Sequence, residues 1–509
     1  MSQQKKQWGA IAIMIALFAM IAFVTNLCTP MATIIKNQGN ISNVVAQIGN
    51  YGNFVAYLVM GIPAGMLISK YGYKKTAIIG LVIGIIGILI QWFSGQMDVE
   101  KNLYGVFFVY LVGAFIAGFC MCILNCVVNP MLNLLGGGGN SGNQLIQTGG
   151  VFNSTAAVAC YILMGALIAD QSKAKIADAT PALMIALAIF VVAIIIIMRT
   201  KIEEPKQEPV KLGDIKVAMS HRHFALGALA IFLYMGIEVG VPNFVQQYLG
   251  TDKKETLDQK AVVLQQYESQ TIDLATATEN YIKIDKLAKA KAATDVDTLF
   301  ASTNVETVAD LNKERSKISY QIENKEITSG SISSTHPGLG IAGGTVGMLV
   351  AVYWFMMLIG RLFGASLGSK VSARTMITTV STATLLLVLF GIFAPATSVP
   401  FPGVDWGKLE LVWQDIPLGI FSFLLVGLFT SVMWGGIFNM AVEGLGKYTA
   451  IASGIFMTMV FGCAVMMFIQ ASVADVCGYI NSFWVVIFCA AYLLFYALVG
   501  SRVKSSEKE

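Results

Sequence analysis

Between residues 123 and 154 the chain reads ILNCVVNPMLNLLGGGGNSGNQLIQTGGVFNS. Asn125 and Asn129 stand one helical turn apart, Pro130 follows the second, and Gln144, Gln147 and Asn153 come after a run of glycines. An amide donates and accepts hydrogen bonds but takes up no proton, so this set suits recognition of a polar solute rather than acid–base chemistry. A single carboxylate, Glu238, interrupts the apolar stretch AIFLYMGIEVGVPNF, with Asn243 a little over one turn on. Asn26 in VTNLCTP, Asn439 in GGIFNMAV and the guanidinium of Arg361 in LIGRLFG stand in comparably apolar surroundings. The blander account of each amide is a hydrogen bond to a neighbouring helix.

Those surroundings set the class. The 509 residues are 56% hydrophobic and only 13% charged, where a soluble domain carries about a quarter of its residues as charged types. Twelve runs are long and apolar enough for a bilayer-spanning helix, near 9–34, 48–69, 76–96, 104–134, 143–169, 180–199, 223–249, 341–370, 375–395, 416–443, 448–475 and 479–500. Placing both termini in the cytoplasm puts seventeen basic residues, Lys70, Lys74, Lys75, Arg222 and Arg374 among them, on the inner side. The short outer loops then hold five, which is the positive-inside bias. The first run lacks a small-residue cleavage site and is read as a retained helix, not a signal peptide.

A polar, Pro-containing break at 200–221 divides these runs into six and six. The closings GIPAGMLISKYGYKKT and LIGRLFGASLGSKVSART echo one another across that break, as expected of duplicated halves with a solute site between them. Residues 251 to 337 differ in kind, holding 25 of the chain's 64 charges, and their apolar residues recur at helical spacing. One or two pairs of short amphipathic helices are expected there. The fold class is therefore an all-α membrane protein, with twelve transmembrane helices in two six-helix halves and an extracytoplasmic helical insert between helices 7 and 8. The domain reading is 1–199 for the first half, 200–221 for a cytoplasmic linker, 222–250 for helix 7, 251–338 for the insert and 339–509 for helices 8–12.

Enzymatic and cofactor chemistry find no constellation. His221 and His223 fall in or beside the linker and His336 in the insert, so none pairs with a buried nucleophile. The four glycines at 136–139 lack the Lys-Ser or Lys-Thr of a phosphate loop. Cys122 and Cys126 lie one turn apart without a second Cys or His cluster, so no metal site is expected. The net charge of +4 is too small to argue for nucleic acid. The expected partners are a small-molecule solute and the lipid bilayer.

NP in the fourth helix, the following LG, and NQLIQTGGVFNS opening the fifth together resemble the fucose:proton symporter family of the major facilitator superfamily, which includes glucose/galactose transporters. GIPAGMLISKYGYKKTAIIGL, FLYMGIEVG, YWFMMLIGRLFG and GLGKYTAIASG extend the resemblance in register through both halves. It implies alternating-access transport of a monosaccharide or related polyol, by uniport or by symport with a proton or sodium ion, in a bacterial inner membrane. Within transport the runner-up solutes are an amino sugar, a nucleoside or a small peptide; a transporter-like receptor is the competing class. In the family's proton symporters a carboxylate in the first helix and another in the fourth serve coupling and sugar binding, and here the matching positions are Asn26 and Asn125. Amides there exclude proton coupling through those two positions.

Glu238, matched by Glu in the glucose/galactose-type members, then has three readings: a ligand for sugar hydroxyls, the carrier of a coupling proton, or part of a sodium site. The alternative is an ion pair with a basic group such as Arg361. Asn26, Asn125, Asn129, Gln144, Gln147, Asn153, Glu238, Asn243, Trp354, Trp434 and Asn439 form the candidate substrate set, the tryptophans because aromatic rings stack on sugar faces, as Tyr234 also would. Lys74, Lys75 and Arg361 are the candidate gating residues. Ser69 stands where the superfamily's loop between helices two and three commonly has an acid, which weakens an inner charge network.

Overall fold

In lipid an apolar run must satisfy its backbone hydrogen bonds within itself, so runs of this length form helices. The computed structural model describes residues 7–39, 43–97, 103–167, 179–200, 204, 213–289, 305–341, 343–368, 370–405 and 410–502. The first half is built from α1 (Trp8–Gly39), α2 (Asn43–Gly95), α3 (Leu103–Leu135), α4 (Gly139–Leu167) and α5 (Thr180–Arg199). Two spans run together in α2, because Gly72, at φ 80°, turns the chain between them without ending the helix for more than one residue. A short α6 (Asp214–Ser220) lies in the linker, and α7 (Arg222–Gly250) carries Glu238.

Among the described residues, ten helical stretches are long and apolar enough to cross a membrane, and one of them lies in α2. The 29 residues of α4 are also long enough to cross, with the amide-bearing stretch from Gln144 to Asn153 in its first half and an uncharged, mostly apolar sequence after it. With α2 read as two spans and α4 added, the described helices are compatible with the twelve expected. Phe108, Phe393 and Phe468 project from the outer surface of the bundle, as suits side chains solvated by lipid.

Among the described residues of the insert, four helices follow α7: α8 (Lys254–Glu268), α9 (Leu274–Lys289), α10 (Val305–Glu323) and the single turn α11 (Ser329–Ser333). Leu264, Tyr281 and Ile322 make a small core of their own. The chain returns along the end of α7, where Leu339 and Ile341 donate backbone hydrogen bonds to the carbonyls of Tyr248 and Leu249 at 2.9 and 2.8 Å. Thr251 Oγ1 also meets the Tyr479 hydroxyl at 3.1 Å.

Beyond the insert come α12 (Gly343–Leu367) and α13 (Ala373–Phe393), then a hairpin of β1 (Ser398–Asp405) and β2 (Glu410–Pro417). The strands are antiparallel with Ser398 opposite Pro417 and Val404 opposite Leu411. This hairpin was not expected; its three prolines are tolerated because both strands are edges. The tenth span is broken into α14 (Leu418–Thr430) and α15 (Met433–Val442), and the eleventh into α16 (Thr449–Thr458) and α17 (Gly462–Cys477) across a single 3₁₀ turn. The last span comprises α18 (Tyr479–Ser482) and α19 (Trp484–Phe495), closing in a π turn.

The halves meet where α2 packs on α16, α3 on α16, α4 on α12 and α4 on α15. At the first of these the backbones touch: a Cβ on Gly454 would stand 2.5 Å from the Gly61 carbonyl oxygen, and one on Gly65 would stand 2.7 Å from that of Ala450. Only glycine permits so close an approach. These contacts lie towards the end of the bundle that carries the linker, hereafter the linker end; the insert and hairpin stand at the opposite, insert end.

Candidate functional site

Halfway along α7, Glu238 is flanked by Gly236 and Gly240, whose missing side chains let Met466 and Gln470 of α17 approach. Its carboxylate faces Arg361 of α12, with Oε1 3.7 Å from Nη2 and both side chains about one-seventh exposed. That is a largely shielded ion pair, longer than a hydrogen bond. The Tyr353 hydroxyl donates to the Glu238 backbone carbonyl at 3.0 Å and lies 3.2 Å from Thr430 Oγ1, at the end of α14.

The other guanidinium nitrogen of Arg361 leaves its own half. Nη1 donates to the Gly150 carbonyl at 3.0 Å, Asn153 Oδ1 at 3.1 Å and Ser154 Oγ at 2.6 Å, all on α4. Asn153 is itself held by α1, where its Nδ2 donates to the Phe18 carbonyl at 2.8 Å. Trp354 is seven residues before Arg361, hence two turns nearer the insert end on the same face of α12, and is 39% exposed.

A second polar group forms on α3. Asn125 Nδ2 donates to the Tyr57 hydroxyl of α2 at 2.8 Å and to the Met121 carbonyl at 3.1 Å. Both bonds use nitrogen, leaving the carboxamide oxygen as an acceptor. Asn129, fully buried, donates from Nδ2 to the Asn125 carbonyl at 3.0 Å and accepts from Trp434 Nε1 of α15 at 3.3 Å. Trp434 is wedged between Tyr234 and Phe456, with ring centroids 6.3 and 5.7 Å away. Asn129 thus bridges the halves at the base of the Asn125 group.

Gln147 donates to the Val432 carbonyl at 3.0 Å, in the break between α14 and α15. That carbonyl also accepts from the Gly436 N–H at 3.2 Å, so Gln147 ties the start of α15 to the opposite half. Gln144 packs by its backbone where a Cβ on Gly368 would lie 3.0 Å from its Cα, and its carbonyl accepts from Thr148 at 2.9 Å. Asn439 lies near the linker end, donating to the Gly139 carbonyl at 3.1 Å, and Asn243 accepts from Gln247 at 2.6 Å towards the insert end. Neither is drawn into the two central groups. The Asn26 side chain lies outside the described residues.

Among the described residues, neither lysine meets the other half. Lys74 Nζ donates to the Thr200 and Met198 carbonyls at 2.7 and 3.2 Å, at the end of α5, and Lys75 is exposed. Glu204, just beyond α5, accepts from the backbone N–H groups of Tyr73 and Lys74 at 2.8 and 2.7 Å. A linker carboxylate therefore caps the helix that restarts after Gly72, close to where Ser69 leaves the charge network without its expected acid. Tyr57, Tyr353, Thr430 and Glu204 were not singled out from the sequence. Nor was Ser154, although it ends the NQLIQTGGVFNS motif.

A model of the Major Facilitator Superfamily matches residues 11–263. The chain belongs to the major facilitator superfamily. As a member of that superfamily it is 24% identical to a glucose/galactose transporter of Brucella abortus, over 98% of this chain and 96% of that protein. An L-fucose-proton symporter of Escherichia coli K12 is 24% identical over 47% of this chain and 58% of its own. Among solved structures, the superfamily transporter FucP in the outward conformation aligns with TM-score 0.66 at 17% identity, covering 97% of this chain and 99% of that one. A proton:xylose symporter aligns at TM-score 0.55 and 10% identity, over 96% and 94%. Likeness this distant carries the major facilitator fold and leaves the solute to the site itself.

Proposed function

We propose that this chain transports a neutral monosaccharide or related small polyol by alternating access, its two six-helix halves rocking about the Asn125 and Arg361 groups. The observation that carries this reading is Asn125, held by Tyr57 through its nitrogen so that its oxygen is left to accept from a bound hydroxyl. A site built on fixed hydrogen-bond partners rejects analogues lacking the matching hydroxyl. Glu238 and Arg361 offset each other's charge, which favours an uncharged solute over an amino sugar or a sugar acid. The relatives named as glucose/galactose transporters support the same class of solute.

Proton coupling through positions 26 and 125 is excluded by their chemistry. Among the described residues, Glu238 is the one carboxylate in the middle of a membrane-crossing helix, so coupling to a proton or sodium ion, where it occurs, runs through Glu238. The division at 200–221 and the insert at 251–338 are read as the linker and an extracytoplasmic cap. The distribution of Lys and Arg supports cytoplasmic termini, and the bacterial relatives support an inner-membrane location.

Uptake of labelled hexoses into proteoliposomes tests this, with and without imposed sodium and proton gradients, for the wild type and Glu238→Gln. Accumulation lost in the variant makes the chain a symporter coupled at Glu238. Equilibration without accumulation in both makes it a uniporter, and no hexose uptake at all rejects the sugar reading.

A further inference from the structure

We infer that Arg361 exchanges partners during the transport cycle, bound to α4 when the linker end is closed and to Glu238 when it opens, with Ser154 and Asn153 as its positioning residues. The inference deepens the transport reading and rests on it only in needing two states. In this structure the linker end is closed, and the guanidinium is divided unequally. Three acceptors of the opposite half, the Gly150 carbonyl, Asn153 Oδ1 and Ser154 Oγ, all lie within 3.1 Å of Nη1. The one formal counter-charge, on Arg361's own half, is 3.7 Å from Nη2.

Rocking must separate the two groups. Gly150, Asn153 and Ser154 belong to α4, whose halfmate α1 holds Asn153 through the Phe18 carbonyl at 2.8 Å. Glu238 and Arg361 sit on α7 and α12 of the other half, joined through the hydrogen bond from Tyr353 to the Glu238 carbonyl. When α4 and α12 part, Nη1 loses three acceptors together and Nη2 keeps its carboxylate. A guanidinium out of reach of water is costly unless paired, and Glu238 is the charge already beside it. Closing the remaining gap to hydrogen-bond distance needs only a rotamer adjustment of two long side chains, with no helix movement inside the half.

Opposite perturbations of one equilibrium follow. Removing the Glu238 charge destabilises the open linker end, and removing the α4 acceptors destabilises the closed one. Spin labels carried on unnatural amino acids at Lys70, beside the loop after the second span, and at Lys447, before α16, report the separation of the halves at this end. Both positions are exposed. Distances are measured without sugar, so an error in the solute class leaves this test untouched.

Glu238→Gln is expected to shift the closed-to-open ratio about tenfold towards the short distance, and Ser154→Ala with Asn153→Ala about tenfold towards the long one, within the range usual for coupled sites. Combining the three substitutions should return the distribution towards the wild type. Arg361→Lys, which keeps charge but loses the fork that serves both partners, should flatten the difference between the two backgrounds. Shifts in the same direction overturn the exchange, as does a single short distance in every variant.

Discussion

Two buried cations of this protein make an instructive pair. Lys260, 3% exposed, reaches across the insert to Asp252 at 2.6 Å and Asp285 at 2.5 Å, with the Tyr281 ring centroid 4.7 Å from its ammonium. Arg361 has one carboxylate at 3.7 Å and spends its shortest bonds on neutral acceptors of the other half. Every partner of Lys260 rides on one rigid unit, so its pairing is complete and permanent. Those of Arg361 are split between bodies that must move apart. A fully satisfied charge holds a shape, whereas a divided one is suited to choosing between two.

The sharpest way to break that contrast is to remove each cation. Arg361→Ala leaves the Glu238 carboxylate buried without a counter-charge, at a cost of about 3–5 kcal/mol, and initial hexose uptake in proteoliposomes should fall more than a hundredfold. Lys260→Met strands two carboxylates instead. It should lower local stability of the insert by about 3 kcal/mol, read as faster amide hydrogen exchange in α8 and α9, while uptake stays within twofold. Loss of uptake in that variant would erase the distinction.

The pH dependence of the insert follows from the same ammonium. Burial pulls its pKa down, but the Tyr281 side chain and the Asp285 and Asp252 carboxylates outweigh burial and hold it above the usual lysine value. A raised folded value stabilises fully below the unfolded lysine pKa and is lost as pH rises through the folded one. Amide exchange in α8 should therefore carry no Lys260-dependent change near neutrality, and Lys260's contribution should decline only in strongly alkaline solution. A smaller effect is expected at Asn125→Ala, which removes a neutral hydrogen-bonding group: about tenfold weaker apparent affinity in concentration-dependent uptake, or roughly 1–1.5 kcal/mol. Lys75→Ala, at an exposed position without a cross-half partner, should change uptake by less than twofold.

Length and apolar content made the spans readable before any coordinates, and the charge-rich stretch after Thr251 announced the insert. What stayed hidden was non-local. Nothing around Asn125 points to Tyr57, 68 residues away, and a tyrosine inside an apolar run reads as packing. The break after Thr430 carries no proline, and its contact with Gln147 of the other half, which donates to the Val432 carbonyl, exists only after folding. SVPFPGVD reads as a loop because its prolines are poor ladder partners, yet the register with β2 accommodates them at an edge. The amide list therefore mixed central residues such as Asn125 with Asn439 and Asn243, since polarity in an apolar run says nothing about depth or direction. Glu238 and Arg361 were recognised one by one, and only the three-dimensional arrangement attaches the second to Asn153 and Ser154.

The insert's return along the end of α7, fastened by the Tyr248 and Leu249 carbonyls and by Thr251 against Tyr479, gives it a mechanical role whatever else it contacts. Bolted to the end of α7, it is an outrigger whose far edge sweeps a wider arc than the pivot it extends from. An antibody fragment gripping that edge would read the tilt of the half as a displacement, and a bulky one wedged against the first half would act as a brake.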